Sequence, residues 1–79
     1  MDIKTTDYFQ RRVVAERPEI DPAWCQRALT QSLRRQVQPE DGRIRHWVYI
    51  PEVGKYLRVI TLADGETLHN AFFDRRFKP

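Results

Sequence analysis

Only His46 and His69 carry side chains whose ordinary pKa lies near neutrality, and they stand in a strongly arginine-biased set of cations. All the basic residues except Lys4, Lys55 and Lys78 are arginine. The guanidinium fork grips phosphate through two parallel hydrogen bonds and stacks on aromatic rings, so arginine with interleaved aromatics suits a nucleic-acid backbone better than a solubilising surface needs. Cleaving RNA without a metal takes a group to accept the 2′-hydroxyl proton, a fixed cation for the charged phosphorane and a donor for the departing oxygen. His69 is the first candidate for acid or base, Arg58 for holding the scissile phosphate, and Tyr49 for a hydrogen bond in the same centre. Around them Arg43 and Arg45 read as backbone clamps and Trp47 and Tyr56 as base platforms. Arg75 and Arg76, followed by Lys78, form a basic segment able to hold RNA or an acidic protein. His46 reads as a hydrogen-bonded core residue and as the reserve catalytic candidate. Each assignment has a plainer rival: a structural histidine, an Arg58 ion pair with an acid such as Asp74, and tyrosines that only pack.

Length and composition bound the rest. With 79 residues, 41% of them apolar, and a net charge of +3, the chain supports one domain over residues 1–79. Such a domain buries about 60–65% of its unfolded surface, so a shallow site is expected rather than a deep multi-substrate pocket or a dinucleotide-binding fold. A single cysteine, Cys25, closes no internal disulfide, and with two histidines it makes no zinc constellation. No metal or other cofactor is expected. No apolar run approaches a membrane span, and Met1-Asp2-Ile3-Lys4-Thr5 lacks a leader pattern, so the expectation is a cytoplasmic protein without a membrane partner.

The elements that must position these groups run α then β. Cap residues Thr5, Thr6 and Asp7, with Phe9 and Val13 on one stripe, predict a helix over about 6–16, ended by Pro18. Asp21 as N-cap with Pro22 in the first turn predicts a second over about 21–34, with Trp24, Cys25, Ala28, Leu29 and Leu33 on its apolar face. Strands follow at about 36–38, 43–50, 55–63 and 66–73. The turns are Pro39–Gly42, Pro51–Gly54 and Asp64-Gly65, the last read as a two-residue type I′ hairpin. The expected fold is α+β: two N-terminal helices on one face of a three- or four-stranded antiparallel meander.

Register then decides which side chains meet. Placing Asp64-Gly65 at the hairpin tip sets Thr61 against Leu68 and Leu57 against Phe72. Pairing Ile50 with Lys55 adds Ile44, His46, Val48 and Ile50 to the apolar side. The opposite side displays Arg45, Trp47, Tyr49, Tyr56, Arg58 and His69, with Phe73 at its margin, while Asn70 falls on the core side and needs a partner. That collection suits RNA, although an ordinary solvated sheet face is its rival.

The stretches Gly42-Arg43-Ile44-Arg45-His46-Trp47, Lys55-Tyr56-Leu57-Arg58-Val59-Ile60-Thr61-Leu62 and Thr67-Leu68-His69-Asn70-Ala71-Phe72-Phe73-Asp74-Arg75-Arg76 resemble the small toxins grouped with the barnase, EndoU, colicin and RelE ribonuclease superfamily. The resemblance spans nearly the whole chain. It implies metal-independent endonucleolytic cleavage of RNA, a cognate antitoxin protein as partner, and a site with a basic residue on a central strand (Arg58) and an acid-base residue on the last (His69, with Asn70). It departs in the first helix, where related proteins often have His or Lys and this chain has Tyr8, Arg11 and Arg12. The alternative is a non-enzymatic module that binds RNA or protein through the same face.

Overall fold

The computed structural model describes residues 3–79; Met1 and Asp2, part of the stretch read for a leader, lie outside them. The architecture is α+β. Helix α1 (Asp7–Phe9) runs straight into a π-helical turn (Gln10–Val14), and α2 spans Pro22–Thr30. Strands β1 (Arg34–Val37), β2 (Ile44–Ile50), β3 (Lys55–Thr61) and β4 (Leu68–Phe73) form one antiparallel sheet in sequence order. Of the two helices expected at the N-terminal end, only the first lies there. No helix among the described residues is long and apolar enough to cross a membrane.

Local chemistry accounts for both helix starts. Thr6 Oγ1 accepts from the Phe9 N–H at 3.1 Å, and the Gln10 amide reaches back to Thr5 Oγ1 at 2.9 Å. Asp21 caps α2 by accepting from the Ala23 N–H, with Pro22 in the first turn where its missing donor costs nothing. Phe9 and Val13, with Ile20, Cys25 and Ala28, close on Val48, Ile50, Leu57, Val59, Leu68 and Ala71 to make the core. Side chains so buried contribute roughly 1.5–3 kcal/mol each when fully apolar. Cys25 is a filler: burial first, then Asp21, pushes its thiol up to about 12, far from a reactive thiolate.

Several boundaries and one turn type differ from the sequence reading: besides both helices, β1 starts before the expected 36, β3 ends before 63 and β4 starts after 66. The first helix is regular for one turn only, because the Ala15 N–H bonds to the Gln10 carbonyl and opens the turn. The second stops at Thr30, not 34, so Leu33 leaves the expected apolar stripe and is 55% exposed. The Leu33 N–H already bonds to the Trp47 carbonyl, and Arg34 and Arg35 join the β2 ladder as β1. An open strand edge outcompetes another helical turn there. The Asp64-Gly65 turn is also not type I′, which needs positive φ at both central residues. Gly65 has φ 71° and no non-glycine residue is left-handed among those described. The connection runs from Leu62 to Thr67, with the Asp64 carboxylate accepting from the Glu66 and Thr67 N–H groups.

The register between β2 and β3 is the expected one, with Ile50 opposite Lys55 and Trp47 opposite Arg58. Between β3 and β4 the expected Thr61–Leu68 pair holds, but a bulge follows and Asn70 stands opposite Ile60. The extra residue is His69. Beyond it every β4 side chain changes side: Ala71 and Phe73 turn to the core, whereas Asn70 and Phe72 turn to the open face. The reading of Phe73 as a margin residue of the open face is corrected accordingly.

His46 is 2% exposed on the helix side, with Nε2 2.9 Å from Thr61 Oγ1 and no partner for Nδ1 among the described residues. Burial first, and the Arg35 charge second, push it from 6.5 down to about 4. The unfolded chain binds this proton near 6.5 and the folded one resists it to about 4. Its contribution is therefore complete above the unfolded value and lost as pH falls through that window, by on the order of 3 kcal/mol. Thermal melts from pH 7 to 4 should show this loss in the wild type and a flatter profile for His46→Gln; identical profiles would refute the assignment.

Candidate nucleic-acid interface

The sheet face turned away from the helices divides in two across Arg58. One half is a concavity of about 390 Å³ holding Arg43, Arg45, Arg58, His69, Tyr8 and Phe72, with Gln38, Ile60 and Asn70 completing it. The other half is an aromatic stack of Trp47, Tyr56 and Phe77.

Three features place His69 in the concavity. The bulge makes it the unpaired residue of β4. Lys4–Thr6 lie along the outer edge of that strand, with the Thr6 N–H on the Leu68 carbonyl and the Leu68 N–H on the Lys4 carbonyl. This brings Thr6 Oγ1 to 3.0 Å from His69 Nδ1, and the helix that Thr6 caps sets the Tyr8 ring on the imidazole, 4.9 Å between centroids and 24° between planes. Burial lowers the His69 pKa and Arg43 lowers it further, against a smaller opposing effect of Asp41. The balance favours the neutral ring. With Nδ1–H donating to Thr6, the Nε2 lone pair is a base; with Thr6 donating, Nε2–H is a hydrogen-bond donor.

The arginines differ in how far they are committed. Arg45 donates to Gln38 Oε1 at 3.0 Å and to Gln36 Oε1 at 3.3 Å, neutral partners that aim the fork without cancelling its charge. Arg43 stands 3.7 Å from Asp41. Arg58 is held most tightly: Nη2 and Nε lie 2.6 and 3.1 Å from Asp74 Oδ2, and its guanidinium lies 4.9 Å from the Phe72 centroid and 5.3 Å from that of Trp47. The plainer reading, an ion pair with Asp74, describes its resting contacts. The carboxylate also accepts from Trp47 Nε1 at 2.9 Å and, through Oδ1, from the Arg76 N–H. Burial alone would raise the Asp74 pKa, but the bonds from Trp47, Arg58 and Arg76 outweigh it and hold the group at about 2.

The expected site residues thus separate. His69, Arg58, Arg43 and Arg45 share the concavity. Tyr49 does not: it packs on Tyr56 at 5.2 Å, about 13 Å along the strands from the Ile60 end where His69 sits. Its place in the catalytic centre is corrected, because strand rise separates the two ends of one face. Trp47 is 5% exposed beneath Phe77 and is no open platform, and Tyr56 is half-buried against the same ring. Arg75 and Arg76 are exposed on the segment beyond β4, with Arg75 near the β2–β3 connection rather than in the concavity. Asn70 does meet its partner: Oδ1 accepts from Arg17 Nη1 at 3.1 Å, and Arg17 also bonds the Ala71 carbonyl, sealing the outer edge of β4.

Tyr8, Thr6 and Gln38 join the site without having been singled out for it. Thr6 carried a signal as a cap residue, whereas Tyr8 depends on a helix meeting a strand sixty residues away in sequence. Phe77 had one sequence cue, an aromatic amid Arg75, Arg76 and Lys78. Comparison with protein-family models, with curated proteins and with solved structures gave no match.

Asp74 joins three strands through one carboxylate, so Asp74→Asn should cost roughly 3 kcal/mol in urea denaturation at pH 7 and shift the Trp47 indole N–H resonance. A change within 0.5 kcal/mol, with that resonance unmoved, would contradict this role.

Proposed function

We propose that the chain is a toxin-like, metal-independent endoribonuclease that engages single-stranded RNA in the concavity around His69. The observation that carries this reading is the meeting of one imidazole with three arginines and two exposed or half-exposed rings in a shallow basin. Arg45 and Arg43 hold the phosphodiester, Arg58 supports the charge that develops at phosphorus, and Tyr8 or Phe72 stacks a neighbouring base. His69 Nε2 takes the 2′-hydroxyl proton as that oxygen attacks phosphorus, the P–O5′ bond breaks, and the departing oxygen receives a proton from solvent. A lowered pKa suits the base and not the acid. The exposed Arg75, Arg76 and Lys78 offer a grip for an acidic antitoxin, and the protein acts in the cytoplasm.

A second reading is RNA binding without cleavage. The neutralisation of Arg58 by Asp74 favours it, together with the lack of a second imidazole in the basin.

One assay separates them: an end-labelled single-stranded RNA incubated with the purified chain in EDTA. Cleavage should fall at least about 100-fold in His69→Ala, and the Arg43→Ala, Arg45→Ala double variant should bind more weakly with a shallower salt dependence. The rate should rise as pH climbs through a value below 6.5 and then level off, since only the unprotonated ring works. Equal rates in wild type and His69→Ala would end the His69 mechanism; RNA retained but uncut by wild type would establish the second reading.

A further inference from the structure

The aromatic half of the open face has the form of a nucleobase slot, and the chain fills it with its own side chain. The Phe77 ring lies on Trp47 at 5.3 Å and 16° between planes, meets Tyr56 at 5.1 Å and 58°, and has the Arg34 guanidinium 5.0 Å from its centroid. A flat aromatic floor, a tilted wall and a cationic cap are what hold an unstacked base in a single-strand site.

Little else fixes Phe77. Beyond Asp74 the chain pairs with no strand. Its anchors among the described residues are the Arg76 N–H on Asp74 Oδ1 and a long 3.4 Å contact from Arg34 to the Lys78 carbonyl. Arg75, Arg76 and Lys78 are exposed around it. A ring held chiefly by stacking exchanges readily for another ring of similar area. The slot also adjoins the basin. Arg58 contacts Trp47 on one side and lines the basin on the other, and Arg45 stands two residues along β2, about 7 Å at the strand rise.

We propose that the Trp47, Tyr56 and Arg34 slot is a nucleobase subsite of the RNA surface, occupied at rest by Phe77 of the same chain, which leaves when a base enters. This rests on the RNA reading above and adds to it a self-occupied subsite and a competition. Withdrawal of Phe77 frees the stacking floor, while Arg75, Arg76 and Lys78 are already exposed with the ring in place. The Asp74 anchor stays in place, so the exchange does not unlock the sheet.

The test compares wild type, Phe77→Ala and Phe77→Trp by fluorescence anisotropy at low salt. The probes are a labelled 2′-O-methyl oligouridylate hexamer, which has no 2′-hydroxyl to attack phosphorus, and a hexamer with the same 2′-O-methyl ribose-phosphate backbone but no bases. Phe77→Ala should bind the base-bearing hexamer about tenfold more tightly, the scale of one stacked base. Phe77→Trp, a better plug, should bind it more weakly, and all three should bind the base-free hexamer alike. The opposite signs keep the test decisive if the alanine variant loosens the fold. Equal affinities for the base-bearing hexamer across the three chains would overturn the slot and leave the RNA reading standing. Tightening by Phe77→Ala that is the same for both hexamers would overturn it in favour of simple charge release. Binding of neither hexamer by any chain would overturn both.

Discussion

The carboxylate of Asp74 is the constraint on which the open face depends. Its side chain is 8% exposed and carries a negative charge there, at the end of β4, because β2 supplies an indole N–H, β3 a guanidinium and the following segment a backbone N–H. Its own N–H bonds to the Tyr56 carbonyl and extends the β3–β4 ladder. An isolated buried carboxylate would cost several kcal/mol, so this one persists only while all its donors stay in register. In doing so it fixes Trp47 flat against the sheet, holds Arg58 between the two halves of the face and directs the chain that carries Phe77.

The second constraint is the bulge at His69. Without it the alternation of β4 would run unbroken, Phe72 would face the helices and Ala71 the solvent. Inserting one residue gives the core Ala71 and Phe73, gives the basin Phe72 and Asn70, and leaves His69 outside the ladder, where Thr6 and Tyr8 meet it. The N-terminal helix is thus part of the site as well as a cover for the core. The distribution of charge follows from the same geometry. Arg45 faces neutral amides and keeps its charge uncompensated, while Arg58 is paired with Asp74.

Much of this was legible in the residues. The Asp21-Pro22 start, the pairing of Ile50 with Lys55 and the grouping of Arg45, Trp47, Tyr49, Tyr56 and Arg58 on one face follow from capping chemistry and strand alternation, which act over a few residues. His46 as a hydrogen-bonded core histidine follows from the same alternation. What failed were inferences that needed distant partners. The spacing of Leu33 from Leu29 predicts a helix, yet β2 offers a ladder to the same backbone. Tyr49 shared the right face at the wrong end. For Trp47, strand alternation leaves a base platform and a buried Trp covering the sheet both open, and nothing local reveals that Phe77 returns to cover it.

The sequence by itself determined the α+β class, the helix starts, the strand order and the arginine-rich character of one sheet face, because these rest on φ/ψ preferences and on a two-residue period. Tertiary structure alone decided the rest: which residue of β4 stands out of the ladder, which arginine is neutralised, and which aromatics are covered. Those outcomes hang on where Thr6, Asp74 and Phe77 meet strands far from them along the chain, and on the cost of leaving a buried charge or donor without its partner.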